Sequence, residues 1–500
     1  MPPDPIGPAR RPFVVVGLAA ALLTSAAAGP AAGATCVDGD TVRGALRTLE
    51  TERSEGWLRT YDGPGNGHDT PRNLGYPTDT LAVSPDGSRT FVTGASWGGD
   101  SAQGGSHYDY LTIAYDSATG QELWQARYEG PGVSQDSPWS MTVSPDGSRL
   151  FVTGMSVGKL VGTSPDWDIA TVAYDAVTGA RDWVARYDAA ALDEGAAVEV
   201  SPDGERVFVA GDSSYDLVAL AYDARDGELE WTATYDGGGM DVAHGIGVTD
   251  DSVFLAGKSR GDDWDYATLA LDARTGERRW VERYDGPDQG DDSVFALALA
   301  PDGSSVFVTG QVDVGGQYDY GTVAYDAATG APRWASAYDG PPTGLMDEAH
   351  AIAADGETVY VTGFSSGCQS GYDYLTVAYD ATNGTRRWVT RFNGLQSNSS
   401  DIAYAVAVSP DDRTVYVTGE TPGGLDGFVT STHYDVGTVA YDAVTGAERW
   451  FATYDGPEHF QDGAFALVVS PDGSRVVVHG ERFHNGTPGF GDFLTISYAT

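Results

Sequence analysis

Apolar and polar positions alternate in short runs along most of this chain, and clusters of Gly, Pro, Asp and Ser separate the runs. The segment Ile402-Ala403-Tyr404-Ala405-Val406-Ala407-Val408 has the period of two expected of a strand with one buried face. A Ser-Pro-Asp-Gly turn follows such runs at 84–87, 144–147, 201–204 and 470–473; Pro presets φ there and Gly accepts positive φ. A second, β-branched strand comes next, as in Val415-Tyr416-Val417-Thr418-Gly419, and then a segment of variable length. A third strand (372–380) ends in a D-A-x-T-G turn, and the fourth strand carries a Trp and usually ends Tyr-Asp-Gly-Pro.

This unit recurs. The strings YDAVTGARDW (174–183), YDAATGAPRW (325–334) and YDAVTGAERW (441–450) are nearly identical. Their tryptophan returns at Trp57, Trp124, Trp183, Trp231, Trp280, Trp334, Trp388 and Trp450, a repeat of about 56 residues. Four antiparallel strands per repeat, arranged radially, make propeller blades. The predicted fold is therefore all-β: an eight-bladed β-propeller of four-stranded blades over 56–500. The last repeat stops after a third strand at Tyr498, whereas residues 57–64 form a fourth strand without a blade. Joining the two completes the eighth blade and removes an exposed edge.

The xDxxTGxxxW segment resembles the tryptophan-docking repeat of the PQQ-like propeller superfamily, whose members include quinoprotein alcohol dehydrogenases and a non-enzymatic outer-membrane assembly scaffold. The likeness covers 57–500. It implies that each Trp packs one blade on the next, a structural role that leaves function open. The quinoprotein members commonly set an adjacent cysteine pair against the quinone, beside a catalytic Asp and a Ca²⁺. Here the only cysteines are Cys36 and Cys368, and they are not adjacent.

Charge narrows the partners. Asp+Glu number 72 against 29 Lys+Arg, a net charge of −43, which disfavours nucleic acid and anionic lipid. Residues 1–34 read as an export signal: Arg10-Arg11, an apolar 13–29, then Ala32-Gly33-Ala34 before a cleavage point. Arg10-Arg11-Pro12-Phe13-Val14 also has twin-arginine character, beside the plainer reading of an ordinary secretory signal. Residues 35–55 form an N-terminal segment. No later stretch has the roughly 20 unbroken apolar residues of a spanning helix. These features predict a secreted protein.

Many of the aspartates occupy fixed slots. They sit in both turn types, at the starts of first and third strands and at the ends of fourth strands. Up-and-down strand order places the last three sets on one face, together with the variable segments, and this acidic face is the expected binding face. The position three residues after the first-strand Asp changes from repeat to repeat. It gives Trp139, His244, His350 and Tyr404, with Asp79 in the first blade. These residues either ring the channel mouth as a binding site or fill the wedge between blades. Two histidines and an Asp have metal-ligand chemistry. The run Asp285-Gly286-Pro287-Asp288-Gln289-Gly290-Asp291-Asp292 is the densest acidic loop and the first candidate for calcium, through Asp285, Asp288, Asp291 and Asp292. Gly94-Ala95-Ser96-Trp97-Gly98 and Gly363-Phe364-Ser365-Ser366-Gly367 match a nucleophile elbow in letters only, since no helix follows either. The expected function is a non-catalytic binding or scaffold module that takes a protein or small-molecule ligand on this acidic face. The alternative is an oxidoreductase using PQQ and calcium.

Overall fold

Each alternating run becomes a strand, and the strands pair in chain order. Blade 6 is typical: an inner strand Asp347–Ala354, a second Thr358–Gly367, a third Gly371–Asp380 and an outer Arg386–Phe392. The structure, a computed structural model, describes residues 55–500 apart from 64–66, 72–78, 101–105, 133–134, 162–163, 190–191, 342, 368–370, 395–399, 424–432 and 485–490. The predicted export signal and both cysteines, with any pairing between them, lie outside the described residues. Eight antiparallel sheets form the eight blades, and no helix occurs among the described residues. The inner strands pack each on the next around a ring that returns to its start. The closing strand is the one expected: Glu55–Tyr61 pairs with Gly491–Ala499, with Trp57 opposite Ser497.

The tryptophans explain how blades lock together. The Trp280 indole N–H donates to the Ala327 carbonyl of the next blade at 3.0 Å, and Trp334 does the same to Ala381 at 3.0 Å. Trp57, Trp124, Trp183, Trp231 and Trp388 repeat the contact at 2.8–3.2 Å. The acceptor always follows the Asp of the D-A-x-T-G turn. The Gly of that turn must be Gly for two reasons. At Gly330 φ is +75°, and a Cβ would lie 2.7 Å from the Trp280 ring. The indole thus lies flat on a neighbouring backbone while its polar edge is satisfied.

Two readings of local structure are corrected. The variable segments that follow the second strands of blades 1 and 2, 95–107 and 155–166, read as irregular from sequence, are over their described residues continuations of the second and third strands. In blade 1 pairing runs out to Asp100 opposite Ser106, and in blade 2 to Val161 opposite Ser164. A hairpin ladder needs backbone groups rather than side chains, and a bulge in the second strand of each blade, at Gly98 and Gly158, absorbs the irregular spacing. The inner strand of blade 1 is also split. Asp69–Thr70 and Leu81–Val83 pair separately with Arg89–Asp100.

Candidate binding face

The sequence column three residues after the first-strand Asp has a structural identity. Each of these residues is the extra one in a β-bulge of the inner strand. Trp139, Ala196, His244, Phe295, His350, Tyr404 and Phe465 are skipped by the ladder in blades 2 to 8. A bulge re-aims one side chain without disturbing the rest of the strand. Five of the seven make an arc of rings. His244 meets Phe295 edge-on at 5.8 Å, Phe295 meets His350 at 6.3 Å, His350 stacks on Tyr404 at 5.4 Å, and Tyr404 meets Phe465 at 5.3 Å.

The two histidines do not converge on one cation, because Phe295 stands between them. His350 spends its ring nitrogens on the Ala403 carbonyl at 2.8 Å and on Glu348 at 3.0 Å. Burial, with Lys258 nearby, lowers His244 to about 3 and keeps it neutral. Trp139 donates to Ser137 at 3.2 Å. Asp79 belongs to a different neighbourhood. Its backbone joins blade 2 through Met141 N–H, and its carboxylate faces Glu199, which burial and the Asp79 charge raise to about 7.

Around the arc gathers a second variable column, the residue after the second-strand Gly. It includes Asp212, Lys258, Phe364, Glu420 and Glu481. Burial depresses Lys258, with Asp212, Asp291 and Glu348 opposing that shift, and its ammonium lies 4.9 Å over the Trp264 ring. Sequence reading passed over this column. The repeat-to-repeat variation that exposed the bulge residues would have found it too.

The acidic loop 285–292 divides. Asp285 and Asp292 join Asp265 in a cluster whose oxygens lie within 4.8 Å of one another. Asp288 instead accepts Gly315 N–H at 2.7 Å, and Asp291 accepts Trp264 N–H at 3.1 Å. The Asp265 cluster is one case of a rule. A third-strand Asp, an outer-strand-end Asp and the next inner-strand Asp also meet as Asp62, Asp69 and Asp492, as Asp216, Asp236 and Asp241, and as Asp319, Asp339 and Asp347. Inner-strand aspartates have a structural duty in all eight blades. Each accepts a backbone N–H from the incoming loop, at 2.5–3.2 Å, as in Gly340 to Asp347 and Gly456 to Asp462. Asp69 does this in blade 1. It escaped sequence reading because the split inner strand moves it away from its turn.

Third-strand aspartates pair unevenly. An Arg three residues after the docking Trp binds them in four blades: Arg127 to Asp109, Arg186 to Asp168, Arg283 to Asp265 and Arg391 to Asp373, at 2.5–3.4 Å. Arg482 serves Asp492 at 2.9 Å. Several buried carboxylates of this face, with or without an Arg nearby, hold their protons to unusually high pH. Burial first, then neighbouring aspartates, raises Asp292, Asp319 and Asp462 to about 7. Burial raises Asp401 to about 8.

Fold and repeat together define a PQQ-like eight-bladed propeller. Residues 168–421 match the family described as "Outer membrane protein assembly factor BamB", and the chain belongs to that family. No curated protein matches the sequence significantly. Among solved structures, the chain is similar to Sqt1 of Chaetomium thermophilum bound to the N-terminus of a ribosomal protein. That match has 14% identity and a TM-score of 0.55, covering 88% of this chain and 98% of that one. A europium-containing methanol dehydrogenase matches at 13% identity and a TM-score of 0.51, covering 89% and 93%. These likenesses concern the fold. The residues present suit a quinone cofactor poorly: around the arc Asp212, Glu348, Glu420 and Glu481 outnumber Lys258, little countercharge for an anionic tricarboxylate, and the sequence has no adjacent cysteine pair.

Proposed function

We propose that this protein is an exported, non-catalytic propeller that holds a basic partner on its acidic, loop-rich face. The observation supporting this reading is the run of exposed carboxylates there, Asp285, Asp288 and Asp291, crowded beside the buried Asp292, which burial and its acidic neighbours raise to about 7. A surface of that kind gains from any cation that arrives, because the cation relieves repulsion already built into the fold. Propeller geometry suits the task, since rigid blades hold the exit loops in a fixed array. No helix among the described residues is long and apolar enough to cross a membrane. The test is calorimetric titration of the mature chain with a lysine-rich peptide and with a glutamate-rich peptide of equal length. The lysine-rich peptide is expected to bind, with affinity falling steeply as salt rises. The triple substitution Asp285→Asn, Asp288→Asn and Asp291→Asn should weaken it. Equal heats from both peptides would sink the reading. So would dye reduction on adding PQQ and calcium with an alcohol, which would favour the oxidoreductase instead.

A further inference from the structure

We infer that blades 5 and 6 hold a structural calcium ion between Asp319, Asp339 and Asp347. The inference is independent of the proposed partner and rests on how blade 5 departs from its neighbours.

In blades 1, 2, 4 and 6 the outer-strand Arg binds the third-strand Asp and also a second-strand Ser, whose hydroxyl serves the inner-strand Asp. Arg391 illustrates it, reaching Asp373 at 2.9 Å and Ser365 Oγ at 2.6 Å. Blade 5 lacks both. Ala337 stands at the Arg position, opposite Gly321 just as Arg391 stands opposite Leu375. Val312 replaces the Ser, opposite Asp319 as Ser365 is opposite Asp373. Asp319 is nevertheless 3% exposed. No hydrogen bond or ion pair reaches its carboxylate among the described residues. Its nearest charged company is other carboxylates, those of Asp339, Asp347 and Asp313.

A buried carboxylate with no donor is costly unless a proton or a cation neutralises it. The arrangement favours a cation. Oxygens from Asp319, Asp339 and Asp347 lie within 4.8 Å of one another, which matches ligands placed about 2.3–2.6 Å from a shared ion. Asp347 is already held in place, accepting Gly340 N–H at 2.5 Å and Ser366 N–H at 3.1 Å. Asp339 is held by Gly344 N–H at 3.0 Å. Arg391 is the nearby cation, but its guanidinium is committed to Asp373, Ser365 and the Pro341 carbonyl. An all-oxygen donor set that is partly open to water suits Ca²⁺ rather than a softer metal.

The experiment strips the mature chain of metal and titrates it with CaCl₂, reading heat and the melting temperature. Asp319→Asn, nearly isosteric, removes a ligand and should weaken one binding event at least about tenfold. Ala337→Arg returns to blade 5 the guanidinium that its neighbours carry. It should melt higher than the parent in chelator and lose most of the calcium-induced rise. Circular dichroism and the melting curve of each variant check that the blade is intact, so that binding is compared at equal folding. If Asp319 is merely a buried carboxylic acid, Asp319→Asn will bind calcium as the parent does, and the inference is overturned. Absence of any calcium heat with the parent protein overturns it as well.

Discussion

The two ends of the propeller use one residue type in opposite ways. On the turn face, aspartates close Ser-Pro-Asp-Gly and D-A-x-T-G turns. Asp86 accepts the Ser84 hydroxyl at 2.6 Å and the Ser88 N–H at 2.9 Å, which holds it down at about 2. Asp326 binds Arg333 at 2.9 Å and the Thr329 hydroxyl at 2.8 Å, again at about 2. On the loop face, burial outweighs the same kinds of hydrogen bond. Asp347, with two backbone donors, is still raised to about 6, and Asp401 to about 8. The lesson is that an Asp in a repeat slot carries no fixed charge state. Solvent access and the count of nearby cations decide it.

The largest perturbation removes the frame that separates the faces. Deleting 35–66 takes away Glu55–Tyr61, exposes the edge of Gly491–Ala499 and empties the Trp57 contact with Ser117. Thermal unfolding should shift down more than for any single substitution, and a truncated chain that melts like the mature one would refute closure by this strand.

Next in size, Trp280→Ala or Trp334→Ala should cost about 3–5 kcal/mol in denaturant unfolding, because the cavity lies between two blades and cannot collapse.

The faces themselves are contrasted by a smaller pair of changes. Asp326→Ala on the turn face should cost at most about 1 kcal/mol, since solvent competes for its partners. Asp319→Asn on the loop face, in chelator, should be neutral or stabilising. A loss at Asp319 equal to that at Asp326 would erase the distinction.

The pH dependence sharpens the same contrast. Asp292, Asp319 and Asp462 have folded values of about 7, whereas an unfolded Asp titrates near about 4. The folded chain therefore holds extra protons between those limits, and in chelator its stability falls as pH rises through that window. Turn aspartates, depressed to about 2, act only at far lower pH: their contribution is present above about 4 and lost as pH falls toward 2. Melting temperatures at pH 5 and pH 8 should differ, and Asp319→Asn should narrow the gap.

Blade number, strand order and ring closure were legible in the letters, because the docking Trp and its Gly turn recur together and a repeat can bury its face only against another copy. The bulge column was legible as variation, from Trp139 to Phe465, though nothing local distinguishes a bulge from a regular strand residue. Tertiary structure decided the rest. It separated His244 from His350 with Phe295, moved Asp288 and Asp291 away from Asp285 and Asp292, and brought Asp339 to Asp319 and Asp347. Ala337 and Val312 are plain in the sequence, but their meaning depends on which carboxylate they leave unserved. That is a matter of register between strands and contact between blades. Sequence sets the donors and acceptors that are available, and only packing sets which of them meet and how little water remains to screen them.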